Sequence, residues 1–200
     1  LDEKLRQPLG MRTFTYGLAP EYRAAVAENA VAGMPVLFPV SQVVERALMA
    51  PFSTVVEASN NPVFMEALIP SGNIYATAEE LSRFYQMLLQ GGVWQGRQVF
   101  KPGTISRAVR PVGRLMPDAS LMIPMLYSEG FMLGGPMSLY GPRTTGAYGH
   151  LGFMNILGWA DPRRDLACAL LVTGKAVLGP HLVPWMRLLA TVGSVCRRTV

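Results

Sequence analysis

The chain has 200 residues, half of them apolar and only 16% charged, a composition that argues against disorder and supports one domain with a sizeable core. The formal net charge is +5, but the basic residues are scattered and no basic stripe alternates with aromatics, so nucleic-acid binding is not expected. Pro, Gly or Lys interrupts every long apolar run before about 20 residues, so a membrane span is not expected either.

The chain begins inside an amphipathic segment, LDEKLRQPLGM, with neither an initiating methionine nor a residue that caps a helix. We therefore expect a fragment of a longer polypeptide, with the N-terminal half missing, and the compartment stays open. The two cysteines, Cys168 and Cys196, do not make a disulfide framework. Zinc-binding, P-loop and dinucleotide motifs are absent from the sequence, so we expect neither a metal ion nor a cofactor.

The first half of the chain shows helical periodicity interrupted by turns. Residues 1–7 are predicted to end a helix before Pro8, and residues 11–36 are predicted to be loop-like. SQVVERALM predicts a helix capped by Ser41, because its apolar residues recur at helical spacing.

TAEELSRFYQMLLQGG gives the clearest helix signal in the chain. Thr77 followed by Glu80 forms a capping box, and Gly91–Gly92 end the helix. WQGRQVF predicts a short hairpin, and PGTISRAVR predicts a short helix. Residues 111–128 are rich in proline and methionine, and we predict that they run over the surface or line a cleft.

The periodicity changes after residue 128. GFMLGG, GHLGFMNILGWA and LACALLVTG are predicted as three successive strands, with a turn at Asp161–Pro162 before the third. HLVPWMRLLATVGSVC closes the chain as a helix with one apolar face. The pattern predicts an α+β fold: a mainly helical and loop region over 1–128, and antiparallel strands with a closing helix over 129–200.

Three stretches, taken in order, carry a family resemblance. They are LDEKLRQPLGM, then IPSGNIYATAEELSRFYQMLLQGG, then GHLGF followed by an apolar strand, WADP and LACALLVTG. Together they resemble the serine β-lactamase and penicillin-binding family, especially the class C β-lactamases and the esterases related to them. The resemblance implies an antiparallel sheet with flanking helices, part of a helical subdomain, and an acyl-enzyme site between the two.

The sequence departs from that family in its first two motifs. Serine does not precede any of the three lysines at Ser-x-x-Lys spacing, and Tyr-x-Asn is absent. Ser59–Asn60–Asn61 fits a loose Ser-x-Asn pattern but follows PLGM, where the family's second motif does not belong. We therefore expect the chain to lack the nucleophile, to be inactive alone, and to meet a small ester or amide substrate only as part of the full-length protein.

The third motif supplies the candidate site residues. The resemblance places His150 where many members have lysine, and it assigns the backbone N–H of Phe153 as a donor to the oxyanion of the reaction. Gly152 would let the substrate approach the strand closely, with Leu151 and Tyr148 completing the substrate-binding stretch. Replacing lysine by histidine removes a permanent cation, which favours neutral esters over substrates with a carboxylate.

Other interpretations stay open at this stage. His150 can also be an ordinary histidine at a strand end, with its hydrogen bonds satisfied by the protein. The chain can be a non-catalytic binding module or scaffold of the same fold, or a basic protein that binds a membrane surface. The apolar run Leu166–Val172 is predicted to need covering on both sides, and without it a strand edge would be exposed to aggregation or dimerisation.

Overall fold

A computed structural model describes residues 1–119, 121 and 123–199. Its helical elements begin with a π-helical segment at Asp2–Arg6 and include a 3-10 helix at Pro20–Ala25. The α-helices are α1 (Gln7–Leu9), α2 (Val40–Leu48), α3 (Phe52–Ser59), α4 (Pro62–Glu66), α5 (Ala78–Leu89), α6 (Pro102–Ala108) and α7 (Leu182–Val195).

The strands are mostly short and become dense in the second half of the chain. They are β1 (Thr15–Tyr16), β2 (Ala30–Val31), β3 (Ile74–Tyr75), β4 (Val93–Trp94), β5 (Arg97–Gln98), β6 (Pro111–Pro117), β7 (Pro124–Ser128), β8 (Met132–Leu133), β9 (Met137–Ser138), β10 (Gly141–Pro142), β11 (Tyr148–Leu151), β12 (Leu157–Asp161), β13 (Leu166–Leu170) and β14 (Gly174–Lys175).

A six-stranded antiparallel sheet in the order β13-β12-β11-β8-β7-β6 forms the frame of the molecule. Helix α5 packs on one face through Tyr85 and Leu88, and α7 packs on the other through Leu189. Directly opposed residues of an antiparallel pair share a face, so Tyr148 and Ala160 face α5 whereas Trp159 faces α7. The α+β class with an antiparallel sheet and flanking helices is confirmed.

The α5 helix forms as its sequence predicts. Thr77 is its N-cap, and the Thr77 side chain accepts a hydrogen bond from the backbone N–H of Glu80 at 3.1 Å. The left-handed residues Gly91 and Gly92 follow its last turn. The predicted hairpin at WQGRQVF and the helix that begins at Pro102 are also present.

Three predictions of local structure are wrong. Residues 111–128 contain strands β6 and β7, so the sheet begins at Pro111 instead of at residue 129. GHLGFMNILGWA is not one strand but the hairpin of β11 and β12. Ser41 does not cap α2, because the helix begins at Val40 with Pro39 as N-cap and has no side-chain capping bond.

A buried ion pair fastens the hairpin of β12 and β13 to the closing helix. Asp161 and Arg164 are 1% and 8% exposed, and their side chains lie 2.5 Å apart. The Arg164 guanidinium also donates to the carbonyl groups of Arg143 and Gly193. A charge pair this well hydrogen-bonded tolerates burial, because the remaining donors are satisfied by the backbone.

Strand β13 lies at one edge of the sheet and pairs only with β12 among the described residues. All five of its residues are half-buried. The exposed edge predicted for this run is therefore present, whereas its aggregation or dimerisation stays a prediction. Within the described ranges, none of the helices is both long and apolar enough to cross a membrane.

Candidate functional site

His150 lies near the end of β11 with its side chain exposed to solvent. It pairs with Gly158 of β12, and the Tyr85 ring of α5 lies close to that glycine. Its Nδ1 lies 2.7 Å from the carbonyl oxygen of Leu151. A carbonyl only accepts, so Nδ1 carries the proton, and Nε2 of the neutral ring is left as a hydrogen-bond acceptor.

A tight turn follows His150 and connects β11 to β12. The backbone N–H of Gly152 donates to the carbonyl oxygen of Ile156 at 2.8 Å and closes the turn. Met154 and Asn155 have φ values of 42° and 59°, a pair of left-handed residues typical of a type I′ hairpin turn. Among the described residues, no acceptor lies within hydrogen-bonding distance of the backbone N–H of Phe153.

The Phe153 side chain holds this turn against the helical part of the molecule. Its ring lies 6.1 Å from the ring of Phe52, centroid to centroid. It packs with an apolar cluster built around Val44, Phe52 and Val56 of α2 and α3. The oxyanion donor predicted from sequence is therefore carried by a residue whose side chain is anchored, while its N–H stays free.

Leu151 and Tyr148 direct their side chains away from the turn, into the two sides of the core. The Leu151 side chain packs on the α7 face of the sheet, so only its backbone faces the turn. Tyr148 is 4% exposed and packs against Phe131 in the core beneath α5, and burial raises its pKa to about 12. The Tyr148 side chain is thus part of the core and anchors the strand from below.

Lys175 lies next to the Phe153 ring in the fold, although sequence reasoning did not single it out. It is fully buried on β14, and its Nζ lies 5.7 Å from the centroid of the Phe153 ring. The ammonium donates to the carbonyl oxygen of Val172 at 2.8 Å. Burial lowers the pKa of Lys175 to about 8. The signal in the sequence was a lone lysine inside the apolar run LLVTGKAVLG.

The loose Ser-x-Asn stretch is structural. Ser59 Oγ donates to the carbonyl oxygen of Val56 and accepts from the side chain of Asn29. Asn60 exchanges two hydrogen bonds with the backbone of Asn29. These contacts join the end of α3 to the residue before β2.

The arrangement is an open surface and not an enclosed pocket. We call the exposed His150, the turn that begins at Gly152 and the free N–H of Phe153 the β11 rim. Two open depressions, of about 430 and 420 Å³, lie elsewhere, at residues 2–12 and at residues 23–65. The rim offers a hydrogen-bond donor and an imidazole acceptor to a group approaching from solvent, and the sequence places no Ser-x-x-Lys beside them.

Comparison with known proteins shows the family to which the chain belongs. The family model described as Beta-lactamase matches residues 1–192. "Esterase/beta-lactamase LipL" of Mycobacterium tuberculosis (strain ATCC 25618 / H37Rv) is 30% identical over 106 residues, which are 53% of this chain and 24% of that protein.

Two solved structures match almost the whole chain. A penicillin-binding protein homolog from Caulobacter crescentus is 26% identical with a TM-score of 0.76, and the match covers 98% of this chain and 52% of that one. A family VIII carboxylesterase is 23% identical with a TM-score of 0.75, covering 98% and 50%. The chain thus spans about half the length of these two structures and about a quarter of LipL. This chain belongs to the beta-lactamase family and is related to its esterase and hydrolase members.

Proposed function

We propose that this chain supplies one wall of the acyl-transfer site of a β-lactamase-related esterase. One observation carries the proposal: the backbone N–H of Phe153 has no protein acceptor among the described residues and lies on the turn that begins two residues after the exposed His150. Buried or ordered backbone N–H groups are normally paired, so a free donor at a fixed position is suited to a developing negative charge.

The proposed reaction forms and then hydrolyses an acyl-enzyme. A serine oxygen attacks the carbonyl carbon of the substrate, and the carbonyl oxygen becomes an oxyanion that accepts a hydrogen bond from Phe153 N–H. Gly152 leaves room for the substrate beside the strand. The serine proton passes to its lysine base and then to the leaving alcohol, as the oxyanion collapses and the C–O bond of the ester breaks. Nε2 of His150 accepts a hydrogen bond from a hydroxyl group of the site or of the leaving alcohol. Water then attacks the acyl-enzyme, which releases the acid and returns a proton to the serine oxygen.

The serine and its lysine base have to come from other polypeptide, because the 200 residues contain no Ser-x-x-Lys. The proposed partner is therefore the segment that carries Ser-x-x-Lys and Tyr-x-Asn in the full-length protein. In this proposal the chain is inactive alone, and its contribution is the donor and the imidazole of the β11 rim.

Small neutral esters are the proposed substrates. The rim presents an imidazole instead of a lysine, and the nearby ammonium of Lys175 is fully buried behind Phe153 and does not reach solvent. A substrate carboxylate would therefore meet no permanent cation on this wall, whereas an uncharged ester needs none.

A reconstitution experiment tests the proposal. The chain is assayed alone, and then mixed or fused with a segment of the full-length protein that carries Ser-x-x-Lys and Tyr-x-Asn. The readouts are labelling by a fluorophosphonate probe and hydrolysis of p-nitrophenyl butyrate. We expect no labelling and no hydrolysis from the chain alone. The combined protein should show both, because the nucleophile and the oxyanion donor then lie in the same site.

Variants show whether the β11 rim takes part. In the combined protein, His150→Ala is expected to lower kcat/KM by about 10²-fold or more, the range for one acid–base group. The matched control is His181→Ala, which removes the other histidine from the start of α7. Labelling of the chain alone, or an unchanged kcat/KM in His150→Ala, would overturn the proposal and leave a non-catalytic module of the same fold.

A further inference from the structure

The turn that carries Phe153 N–H does not hold its shape through local preference alone. Its two central residues, Met154 and Asn155, both have positive φ. Asparagine enters this left-handed region readily, but methionine does so rarely because its Cβ crowds the backbone. A turn of this kind keeps one conformation only when its surroundings hold it there.

Two contacts from a different part of the chain meet this turn. The Asn155 side-chain amide donates to the carbonyl oxygen of Ala176 at 3.0 Å. The Lys175 ammonium lies 5.7 Å from the centroid of the Phe153 ring, within range for a cation–π interaction. Both contacts come from β14 and the residue after it, and β14 is itself held by parallel pairing with β2.

Lys175 is unusual because a fully buried ammonium has no carboxylate partner within the described part of the chain. Its contacts are the Val172 carbonyl and the Phe153 ring. Charged and titratable residues on the elements packed around it are all exposed, and they are Glu28 before β2, Glu45 and Arg46 on α2, Glu57 on α3, and His150 on β11. A buried charge is costly, and such charges are retained where they perform a task.

We infer that Lys175 and Asn155 are positioning residues that hold the Gly152–Ile156 turn on β14 and so fix the direction of the Phe153 N–H. The two contacts act from either side of Met154, on the residues before and after it. Neither residue touches the substrate. The relevance of these two contacts to catalysis rests on the proposed function, but their effect on the conformation of the turn does not.

The test is solution NMR of the full 200-residue chain, which requires no substrate or activity. Hydrogen exchange of the Gly152 amide reports whether the turn is closed, because this N–H donates to Ile156. The order parameter of the Phe153 amide reports whether the free N–H is rigid. Lys175→Met keeps the apolar stem and removes the charge, and Asn155→Asp keeps the shape and the tolerance of positive φ but removes the donor.

We expect Gly152 exchange to become about tenfold faster in each variant. The Phe153 order parameter should fall from about 0.85 to below about 0.6. The matched control is Lys101→Met, which removes an exposed lysine before α6 and should change neither value. If Lys175→Met does not fold, Asn155→Asp alone decides the outcome.

A pH titration distinguishes an effect of the Lys175 charge from simple packing, because packing alone has no midpoint in pH. In a His150→Gln background, which removes the nearby imidazole, the Phe153 amide shift should titrate with a midpoint near the Lys175 pKa of about 8. Lys175→Met should abolish that titration. Unchanged Gly152 exchange and Phe153 order in both folded variants would overturn the inference, as would faster exchange spread evenly over β12 and β13. Failure of the esterase assay with these effects intact would count against the proposed function only.

Discussion

Glu80 is a buried carboxylate that joins the start of α5 to the loop after α1. It is 5% exposed and accepts hydrogen bonds from the backbone N–H groups of Arg12 and Thr13 and from the Thr13 hydroxyl. Burial alone would raise the pKa of this carboxyl, but the hydrogen bonds from Thr13, Arg12 and Thr77 outweigh burial and lower it. Folding therefore favours the charged form of Glu80.

Glu80→Gln is expected to destabilise the fold at neutral pH and to reduce its acid sensitivity. Because the folded-state pKa is lowered, Glu80 stabilises the fold above its unfolded-state value of about 4.3 and loses this effect as pH falls through the folded-state value. We expect the variant to lose about 1.5–3 kcal/mol of unfolding free energy at about pH 7. Urea unfolding of both proteins at about pH 7 and about pH 3 measures the loss of unfolding free energy at neutral pH and shows whether the difference becomes smaller in acid.

The neighbouring Glu79→Gln is the control for this experiment, since Glu79 is exposed and makes only an ion pair with Arg83 one turn along α5. It should change the unfolding free energy by less than about 1 kcal/mol. An equal loss for Glu80→Gln at both pH values would show that the ionised carboxylate is not what joins α5 to the preceding loop.

The site residues differ in how far the sequence reveals them. The family resemblance of GHLGF suggested His150 and Phe153, because a matching motif can be carried over residue by residue along the sequence. Lys175 and Asn155 were missed, since their roles arise from contacts between β14 and a turn that precedes it in the chain. Tyr148 was included through its position in the motif, but its ring lies in the core on the α5 face of the sheet, packed against Phe131.

At the level of elements, the strands that prediction missed lack the usual signals. The two central positions of the turn between β11 and β12 are occupied by Met154 and Asn155 and not by glycine. The apolar residues around them therefore looked like one continuous strand. Prolines at 111, 117 and 124 suggested a loop, yet they lie at the ends of β6 and β7. Proline is tolerated there, because β6 is an edge strand and strand ends need fewer donors. The α5 helix was predicted correctly, because its cap and its periodicity are both local.

The approach of α5 to the sheet depends on Gly158. A Cβ at this position would lie 2.5 Å from Cε2 of Tyr85 and 3.2 Å from Cδ2 of Leu81. Gly158→Ala should therefore push α5 away from β12 and lower the unfolding free energy by about 1–3 kcal/mol. Tyr85 lies against Gly158, the strand partner of His150, so the same change should shift the His150 amide resonance.

Gly130→Ala is the matched control, because a Cβ at Gly130 meets only ordinary contacts at 3.7 and 3.9 Å. Its urea midpoint should stay close to that of the unsubstituted chain. A Gly158→Ala protein as stable as this control would mean that α5 can move without cost and does not fix the position of β11.

At the scale of the whole molecule, α5 packs on one face of the sheet and α7 on the other, while β13 and the exposed β6 form its two edges among the described residues. The fold class could be predicted, because helical and strand periodicities separate along the sequence. The family likewise followed from three short stretches. The match to the Caulobacter homolog covers 98% of this chain and 52% of that one.

The central claim is that Phe153 N–H donates to the oxyanion of an acyl-transfer site completed by another polypeptide segment. The most direct measurement is the amide spectrum of the isotopically labelled chain, combined with the Ser-x-x-Lys segment, before and after fluorophosphonate labelling. The phosphonyl oxygen of the adduct stands in for the oxyanion. We expect the Phe153 amide proton to move downfield on labelling, with little change at exposed amides such as that of Lys101. A labelled serine together with an unmoved Phe153 amide would contradict the claim.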